Sequence, residues 1–101
     1  LEFRIGEVIA CEEVPKSKKL LKETIRIGNE TRTVLSGIKK WYKPEDMVGK
    51  KVMVVCNLEP RAIAGIESQG MVVAAESPDG EMLALMTPDP EHDMPSGAEV
   101  C

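Results

Sequence analysis

The sequence contains few aromatic side chains, with one Phe, one Trp and one Tyr among 101 residues. A core built from this chain must therefore be aliphatic, and the short runs of Val, Ile and Met favour strands over helices. No stretch approaches the roughly 20 apolar residues that a membrane span requires. The charged residues Glu2, Arg4 and Glu7 interrupt any signal-peptide segment at the start. These absences predict a cytoplasmic, mainly β protein that does not contact a membrane.

Histidine and cysteine are also scarce, which argues against a metal site or a catalytic pair. His92 is the single histidine, and Cys11, Cys56 and Cys101 lie far apart without a C-x-x-C pair. The phosphate-binding loop G-x-x-x-x-G-K-[ST] is missing, and neither His92 nor Ser36 has an evident catalytic partner. We therefore predict a binding protein with no catalytic residue, no metal and no cofactor, in which Cys11 and Cys56 are small core residues.

Charge is distributed unevenly along the chain, although 13 basic and 17 acidic residues give a net charge of −4. Residues 16–51 hold 11 basic and 4 acidic residues, a local charge of +7. The segments on either side of this tract are acidic. The asymmetry predicts one basic face suited to phosphates, although a lysine-rich solvated surface without a partner explains the charge equally well.

The pattern of apolar residues predicts several strands and one helical turn. Residues 3–11 alternate imperfectly, as expected for a long first strand with both faces partly covered. Residues 23–35 form a hairpin signal around Gly28 and Asn29, a pair that tolerates positive φ. Residues 43–49 predict a short helical turn, because a proline comes early, acidic residues follow and a glycine ends it.

Three further apolar runs follow, at residues 51–56, 70–76 and 81–86. Several strands at short spacing, with one helical turn between the third and the fourth, predict a small barrel. We predict an all-β chain with a short helix, folded as a five-stranded oligonucleotide-binding (OB) barrel within one domain of residues 1–101. The tail, residues 87–101, contains three prolines and is expected to lie outside the core.

A polar, glycine-containing segment at residues 57–70 separates two of these strands and is predicted to be a binding loop. A barrel that binds RNA needs cations for phosphates, polar groups for base edges and flat or polarizable side chains for stacking. Asn57 and Ser68 supply hydrogen-bonding groups and Met71 a polarizable one, while turn capping and core packing are open alternatives for them. The candidate phosphate-binding residues are Lys16, Lys18, Lys19, Arg32, Lys39, Lys40 and Arg61.

Several motifs occur in order along the chain. They are R-x-V-x-S-G-I at residues 32–38, Pro44-Glu45 with Gly49-Lys50, N-L-x-P at residues 57–60 and E-S-x-G-M-x-x-A-A at residues 67–75. Together they resemble the tRNA-binding domain appended to methionyl-tRNA synthetases, which also occurs as stand-alone proteins. The resemblance spans nearly the whole chain. It implies an OB barrel with extra terminal elements and structure-specific, largely sequence-independent tRNA binding, without chemistry of its own.

The resemblance also implies which residues contact tRNA. By position, the Asn, Ser and Met of the family are Asn57, Ser68 and Met71. The full set of predicted tRNA-binding residues is Lys18, Lys19, Arg32, Ser36, Lys39, Lys40, Asn57, Arg61, Ser68 and Met71. The chain departs from the family twice, since residues 14–18 replace His-Pro-Asn-Ala-Asp and add positive charge, whereas Glu59 replaces a frequent lysine.

Three functions remain open from the sequence. The first is a tRNA-binding module of methionyl-tRNA synthetase, as its C-terminal domain or separate β-subunit, with tRNA and the catalytic chain as partners. The second is a stand-alone dimeric chaperone for unfolded export substrates, and the third is an assembly module whose main contact is a protein. The basic tract favours the first, and the resemblance implies a homodimer formed through residues 87–101.

Overall fold

The structure, a computed structural model, describes residues 1–101. The strands are β1 (Phe3–Glu13), β2 (Leu21–Ile27), β3 (Glu30–Ser36), β4 (Lys51–Val55), β5 (Arg61–Ile63), β6 (Ile66–Ser68), β7 (Met71–Val72), β8 (Ala74–Glu76) and β9 (Leu83–Leu85). One helical turn, α1 (Pro44–Met47), begins at the proline and carries two acidic residues in its first turn, as the sequence predicts. This turn is far too short to cross a membrane.

The long strand β1 is the centre of an antiparallel five-stranded sheet with the order β3-β2-β1-β4-β7. Its first half, from Phe3 to Glu7, pairs with β4, and its second half pairs with β2. Gly6 is buried near this exchange of partners, and a Cβ atom there would overlap the side chain of Ile25. Glycine therefore lets β1 approach the neighbouring side chains closely where the sheet curls.

The curled sheet forms a half-barrel with β3 and β7 at its two ends. These ends are joined where the link between β6 and β7 is hydrogen-bonded to β3. The backbone N–H of Gln69 donates to the carbonyl of Thr33 at 2.7 Å, and the side-chain oxygen of Gln69 accepts from the N–H of Thr33 at 2.9 Å. The hydroxyl of Ser68 accepts a third hydrogen bond from the N–H of Leu35. The predicted all-β chain with one short helix is confirmed, and the half-barrel is consistent with an OB-like fold.

The core is aliphatic, as the shortage of aromatic residues predicts. Its cluster of buried residues comprises Val8, Leu21, Ile25, Ile27, Val34, Ile38, Met47, Val52, Val54, Cys56 and Leu85. Cys11 and Tyr42 pack against this cluster, and the Tyr42 hydroxyl accepts a hydrogen bond of 3.1 Å from the N–H of Leu85. Every second position of β2 is buried. One of these core positions holds Glu23, a side chain that is rarely buried without a charged partner.

Two segments differ from the structure predicted from the sequence. The segment predicted to be a binding loop contains the hairpin β5–β6, whose turn residues Ala64 and Gly65 have φ of 52° and 79°. Positive φ at both turn residues matches the twist of the flanking strands, but alanine gives no signal for such a turn. The strand predicted over residues 70–76 is divided at Val73, because β7 pairs with β4 whereas β8 pairs with β9.

The end of the chain packs against the first half of β1, along the edge that β2 leaves free. The N–H of Gly97 donates to the carbonyl of Ile5 at 2.7 Å, and the N–H of Ile5 donates to the carbonyl of Ala98 at 2.9 Å. The hydroxyl of Ser96 accepts a hydrogen bond of 2.9 Å from the N–H of Gly28 in the β2–β3 turn. The tail therefore covers an edge of the sheet within its own chain.

Candidate RNA-binding groove

An open groove of about 450 Å³ lies between β3, the β5–β6 hairpin and β7. Apolar side chains, among them Leu58 and Ile63, form most of its wall. Four of the predicted tRNA-binding residues line it, namely Ser36, Arg61, Ser68 and Met71. Because these four come from four different strands, the groove exists only once the barrel has closed.

Exposed apolar surface and one free cation make this groove suitable for a nucleotide. Met71 is 52% exposed and Leu58 is 38% exposed. A thioether beside aliphatic groups offers a polarizable surface to the face of a base. Arg61 is exposed and forms no ion pair, so its guanidinium is available to a phosphate. Glu59 lines the same groove and opposes this positive charge.

Ser68 lies at the bottom of the groove and takes part in closing the barrel. It is only 4% exposed. Its hydroxyl accepts a hydrogen bond of 3.1 Å from the N–H of Leu35 and donates one of 3.2 Å to the carbonyl of Gly70. Both bonds are to backbone groups, one in β3 and one in the link between β6 and β7. Ser68 therefore holds the groove together, whatever it contributes to binding.

Ser36 connects the groove to a buried carboxyl group. Its Oγ lies 2.5 Å from Oε1 of Glu23, and Glu23 is fully buried. The second oxygen of this carboxyl, Oε2, has no hydrogen-bond partner. Burial raises the pKa of Glu23 to about 8, and the hydrogen bond from Ser36 opposes only part of this rise. The carboxyl is thus mostly neutral at pH 7.

Three exposed lysines lie in two segments that meet next to the groove. The loop between β1 and β2 meets the segment after β3, where the N–H of Lys39 donates to the carbonyl of Lys19 at 3.1 Å. Lys39 directly follows Ile38, which lines the groove. Lys18, Lys19 and Lys40 are exposed and form no ion pair. We call Lys18, Lys19 and Lys40 the lysine rim.

Residues 3–99 match the model of a family described as "Putative tRNA binding domain". The chain belongs to this tRNA-binding domain family. The resemblance predicted from the motifs is thereby confirmed, over nearly the whole chain. The family is a non-catalytic accessory module, which agrees with the predicted absence of enzymatic activity.

The relatives of this tRNA-binding domain include methionine–tRNA ligases. The chain is 54% identical over 100 residues to the enzyme of Deinococcus radiodurans and 49% identical over 100 residues to that of Methanocaldococcus jannaschii. Each match covers 99% of this chain but only 14% and 15%, respectively, of the relative. The chain therefore spans about a seventh of the length of these relatives.

Solved structures related to the tRNA-binding domain carry two kinds of description. A "MetRS related protein" from Pyrococcus horikoshii superposes with a TM-score of 0.90 at 39% identity, covering 99% of this chain and 89% of that one. The chaperone CsaA from Bacillus anthracis superposes with a TM-score of 0.87 at 28% identity, covering 100% of this chain and 90% of that one. Both superpositions extend over essentially the whole domain.

Two of the predicted tRNA-binding cations are engaged within the domain. The guanidinium of Arg32 donates to the carbonyls of Cys56 and Gln69 and pairs with Glu30. It thereby connects β3 to the end of β4 and to the β6–β7 link. The ammonium of Lys39 lies 2.6 Å from a carboxylate oxygen of Glu13. Neither cation lines the groove, so their direct role in binding remains a prediction.

Asn57 lies beside the groove, and its side chain does not line it. Its Oδ1 accepts a hydrogen bond of 2.7 Å from the N–H of Glu2 and so fixes the start of the chain. The amide nitrogen of Asn57 donates no hydrogen bond within the domain, and the residue is exposed. This nitrogen is the part of Asn57 that remains free for a ligand.

Two residues at or next to the groove have roles that the motifs do not predict. Leu58 belongs to the N-L-x-P motif, and its side chain is an exposed part of the groove wall. Glu23, which is hydrogen-bonded to the groove residue Ser36, belongs to the alternation of Leu21, Glu23, Ile25 and Ile27 along β2. A glutamate within a two-residue apolar alternation is a sequence signal for a buried carboxyl.

Proposed function

We propose that this chain is a structure-specific tRNA-binding module that supports methionyl-tRNA synthetase, as its C-terminal domain or as a separate β-subunit. The observation that carries the proposal is the groove formed by Ser36, Arg61, Ser68 and Met71, with the lysine rim beside it. Because the module would act on tRNA, we expect it in the cytoplasm. Its partners would be tRNA and the catalytic chain of the synthetase.

The charges explain how an acidic chain meets an RNA. The overall charge is −4, but Arg61 in the groove and the three lysines of the lysine rim are exposed cations that form no ion pair. Each cation that neutralises a phosphate releases a counterion, so binding weakens as salt rises. The apolar wall next to Met71 accepts the face of an unstacked base. Cations and wall together favour a folded RNA with an accessible base over a featureless polyanion.

Dimerisation through residues 87–101 is part of the proposal. The last residues of the chain are held on β1, while Met94 within this segment is 37% exposed. Two barrels engaging one tRNA raise the apparent affinity by orders of magnitude when the geometry allows both to bind. Sedimentation velocity of the chain over a concentration series tests this part, because a monomer at every concentration would contradict it.

The experiment that tests tRNA binding is a salt series with folded tRNA, using linear single-stranded RNA as competitor. We expect a negative slope of log affinity against log salt and a preference for folded tRNA. Replacing Lys18 and Lys19 by Ala should reduce the slope by about 0.7 to 0.9 per lysine that contacts a phosphate. Arg26→Gln is the matched control, since Arg26 lies on β2 in an ion pair with Glu7.

A chaperone for unfolded export substrates is the second candidate. Its support is the apolar wall of the groove and the superposition on the chaperone CsaA. Capture of a denatured protein with little dependence on salt, together with an absence of tRNA binding, would favour this candidate. Salt-dependent binding that denatured protein does not displace would favour the tRNA module.

A further inference from the structure

The carboxyl group of Glu23 has a position that the fold alone does not explain. It is 0% exposed within an aliphatic core, and its Oε2 has no hydrogen-bond partner. Such unsatisfied polar groups are rare, and burying them costs free energy. The one hydrogen bond that Glu23 makes leads to Ser36, which lines the groove. This bond joins a buried ionisable group to the predicted RNA site.

The surroundings of Glu23 contain no cation that pairs with it. On β1 the residue opposite is Cys11, whose thiol is kept neutral because burial raises its pKa to about 12. On β3 the residue opposite is Val34. The charged residues towards the two ends of this face, Glu13 and Arg32, pair with Lys39 and Glu30 respectively. A negative charge on Glu23 would therefore be stabilised by Ser36 alone.

The unpartnered oxygen indicates where the proton of the neutral carboxyl lies. A proton on Oε2 would be a buried donor without an acceptor, which is costly. A proton on Oε1 is donated to Oγ of Ser36, 2.5 Å away. The hydroxyl hydrogen of Ser36 is then free, since this hydroxyl makes no other hydrogen bond. Ionised Glu23 reverses this arrangement, because Ser36 must then donate inward.

We propose that Glu23 is a positioning residue that sets the direction in which Ser36 hydrogen-bonds to RNA in the groove. With Glu23 neutral, Ser36 donates its hydrogen bond to an acceptor atom of the bound RNA. With Glu23 ionised, that donor is withdrawn, because the Ser36 hydroxyl then donates inward to the carboxylate. RNA binding is thus coupled to the protonation of a group that the RNA does not touch. The inference rests on the proposed function.

The test is the affinity for tRNA between pH 6.5 and 8.8 at constant ionic strength. We expect the affinity of the unmodified chain to fall about fivefold to tenfold across this range, the effect of losing one hydrogen bond. Glu23→Gln should bind several-fold more tightly than the unmodified chain at pH 8.8. The reason is that the Gln amide donates permanently to Ser36 and imitates the neutral carboxyl. Its pH profile should be flat.

Two further variants separate this role from a purely structural one. Ser36→Ala should bind tRNA weakly at pH 6.5. Its affinity should show no step, that is, no fall between pH 6.5 and 8.8, because the hydroxyl whose direction changes is absent. Cys11→Ala should retain the step, since the thiol opposite Glu23 stays neutral in this range. Circular dichroism and a thermal melt at each pH establish that every variant is folded where its affinity is measured.

The outcomes are distinguishable. Parallel pH profiles of the unmodified chain and Glu23→Gln would overturn the role of Glu23, and so would a step that persists in Ser36→Ala. Salt-dependent tRNA binding without any pH step would overturn this inference and leave the proposed function in place. Absence of tRNA binding at every pH would overturn the proposed function together with this inference.

Discussion

The hydroxyl of Ser68 accepts a hydrogen bond of 3.1 Å from the backbone N–H of Leu35 and so joins β6 to β3. The same side chain lines the groove in which Met71 is exposed. A side chain thus replaces a backbone acceptor at the point where the barrel closes. Closing the barrel and forming the groove are therefore one structural event.

Removal of this hydroxyl should destabilise the fold. Ser68→Ala leaves the buried N–H of Leu35 without an acceptor, which costs about 1 to 3 kcal/mol in the free energy of unfolding. Urea denaturation measures the loss. The control is Ser77→Ala, whose hydroxyl bonds lie in the exposed turn between β8 and β9, where water replaces them. Equal stabilities of Ser68→Ala and the unmodified chain would contradict the closing role.

Met71 should contribute to RNA binding without contributing much to stability. Its side chain is 52% exposed in the groove, so Met71→Ala removes contact surface for a base and little core packing. We expect tRNA affinity to fall about twofold to tenfold, given that a sulfur–aromatic contact is worth about 0.3 to 1.5 kcal/mol, with an unchanged melting temperature. The matched control is Met82→Ala, since Met82 is 68% exposed and does not line the groove. Equal losses of affinity in both variants would argue against the groove.

Substitution of Arg32 should lower stability, whereas substitution of Arg61 should lower tRNA affinity. Arg32→Ala removes hydrogen bonds to two backbone carbonyls and should lower the free energy of unfolding by about 1 kcal/mol or more. Arg61→Ala removes an exposed cation and should reduce tRNA affinity and its salt slope while leaving the melting temperature unchanged. Thermal melts and salt-dependent binding of both variants make the comparison. Reversed behaviour would show that Arg32 is the cation that contacts RNA.

Glu23 should make the stability of the chain depend on pH. Its pKa is raised from the ordinary 4.5 to about 8 in the folded state, so between these values the folded chain holds a proton that the unfolded chain has released. The contribution of Glu23 to the free energy of unfolding is therefore greatest below pH 4.5, and it is lost as pH rises towards 8. Between pH 5 and 8 the free energy of unfolding should fall by about 3 kcal/mol.

Urea denaturation across pH 5 to 8 checks this dependence. The pKa values of the exposed carboxyls Asp79 and Asp93 are lowered from 3.8 by hydrogen bonds, so those groups act below this range. Glu23→Gln should abolish most of the slope, because the amide does not titrate. A slope that is equally steep in Glu23→Gln would assign the dependence to another group.

Much of this architecture could be predicted from local sequence patterns. The alternation in β2 and the Gly28-Asn29 turn identify the hairpin β2–β3, because a pleated strand exposes alternate residues and such a turn needs positive φ. The β5–β6 hairpin could not be predicted in the same way. Its two-residue turn between the paired residues Ile63 and Ile66 has Ala64 at positive φ, a conformation that alanine does not favour.

The sequence by itself determined that the chain is a small β domain with an aliphatic core, a basic tract and the motifs of its family. Only the tertiary structure decided which cations are free, because the partners of Arg32 among the backbone carbonyls lie 24 and 37 residues away in the chain. The same applies to Glu23, whose protonation depends on the core that closes over it. Local patterns specify the strands, whereas burial and long-range hydrogen bonds decide what each polar side chain remains free to do.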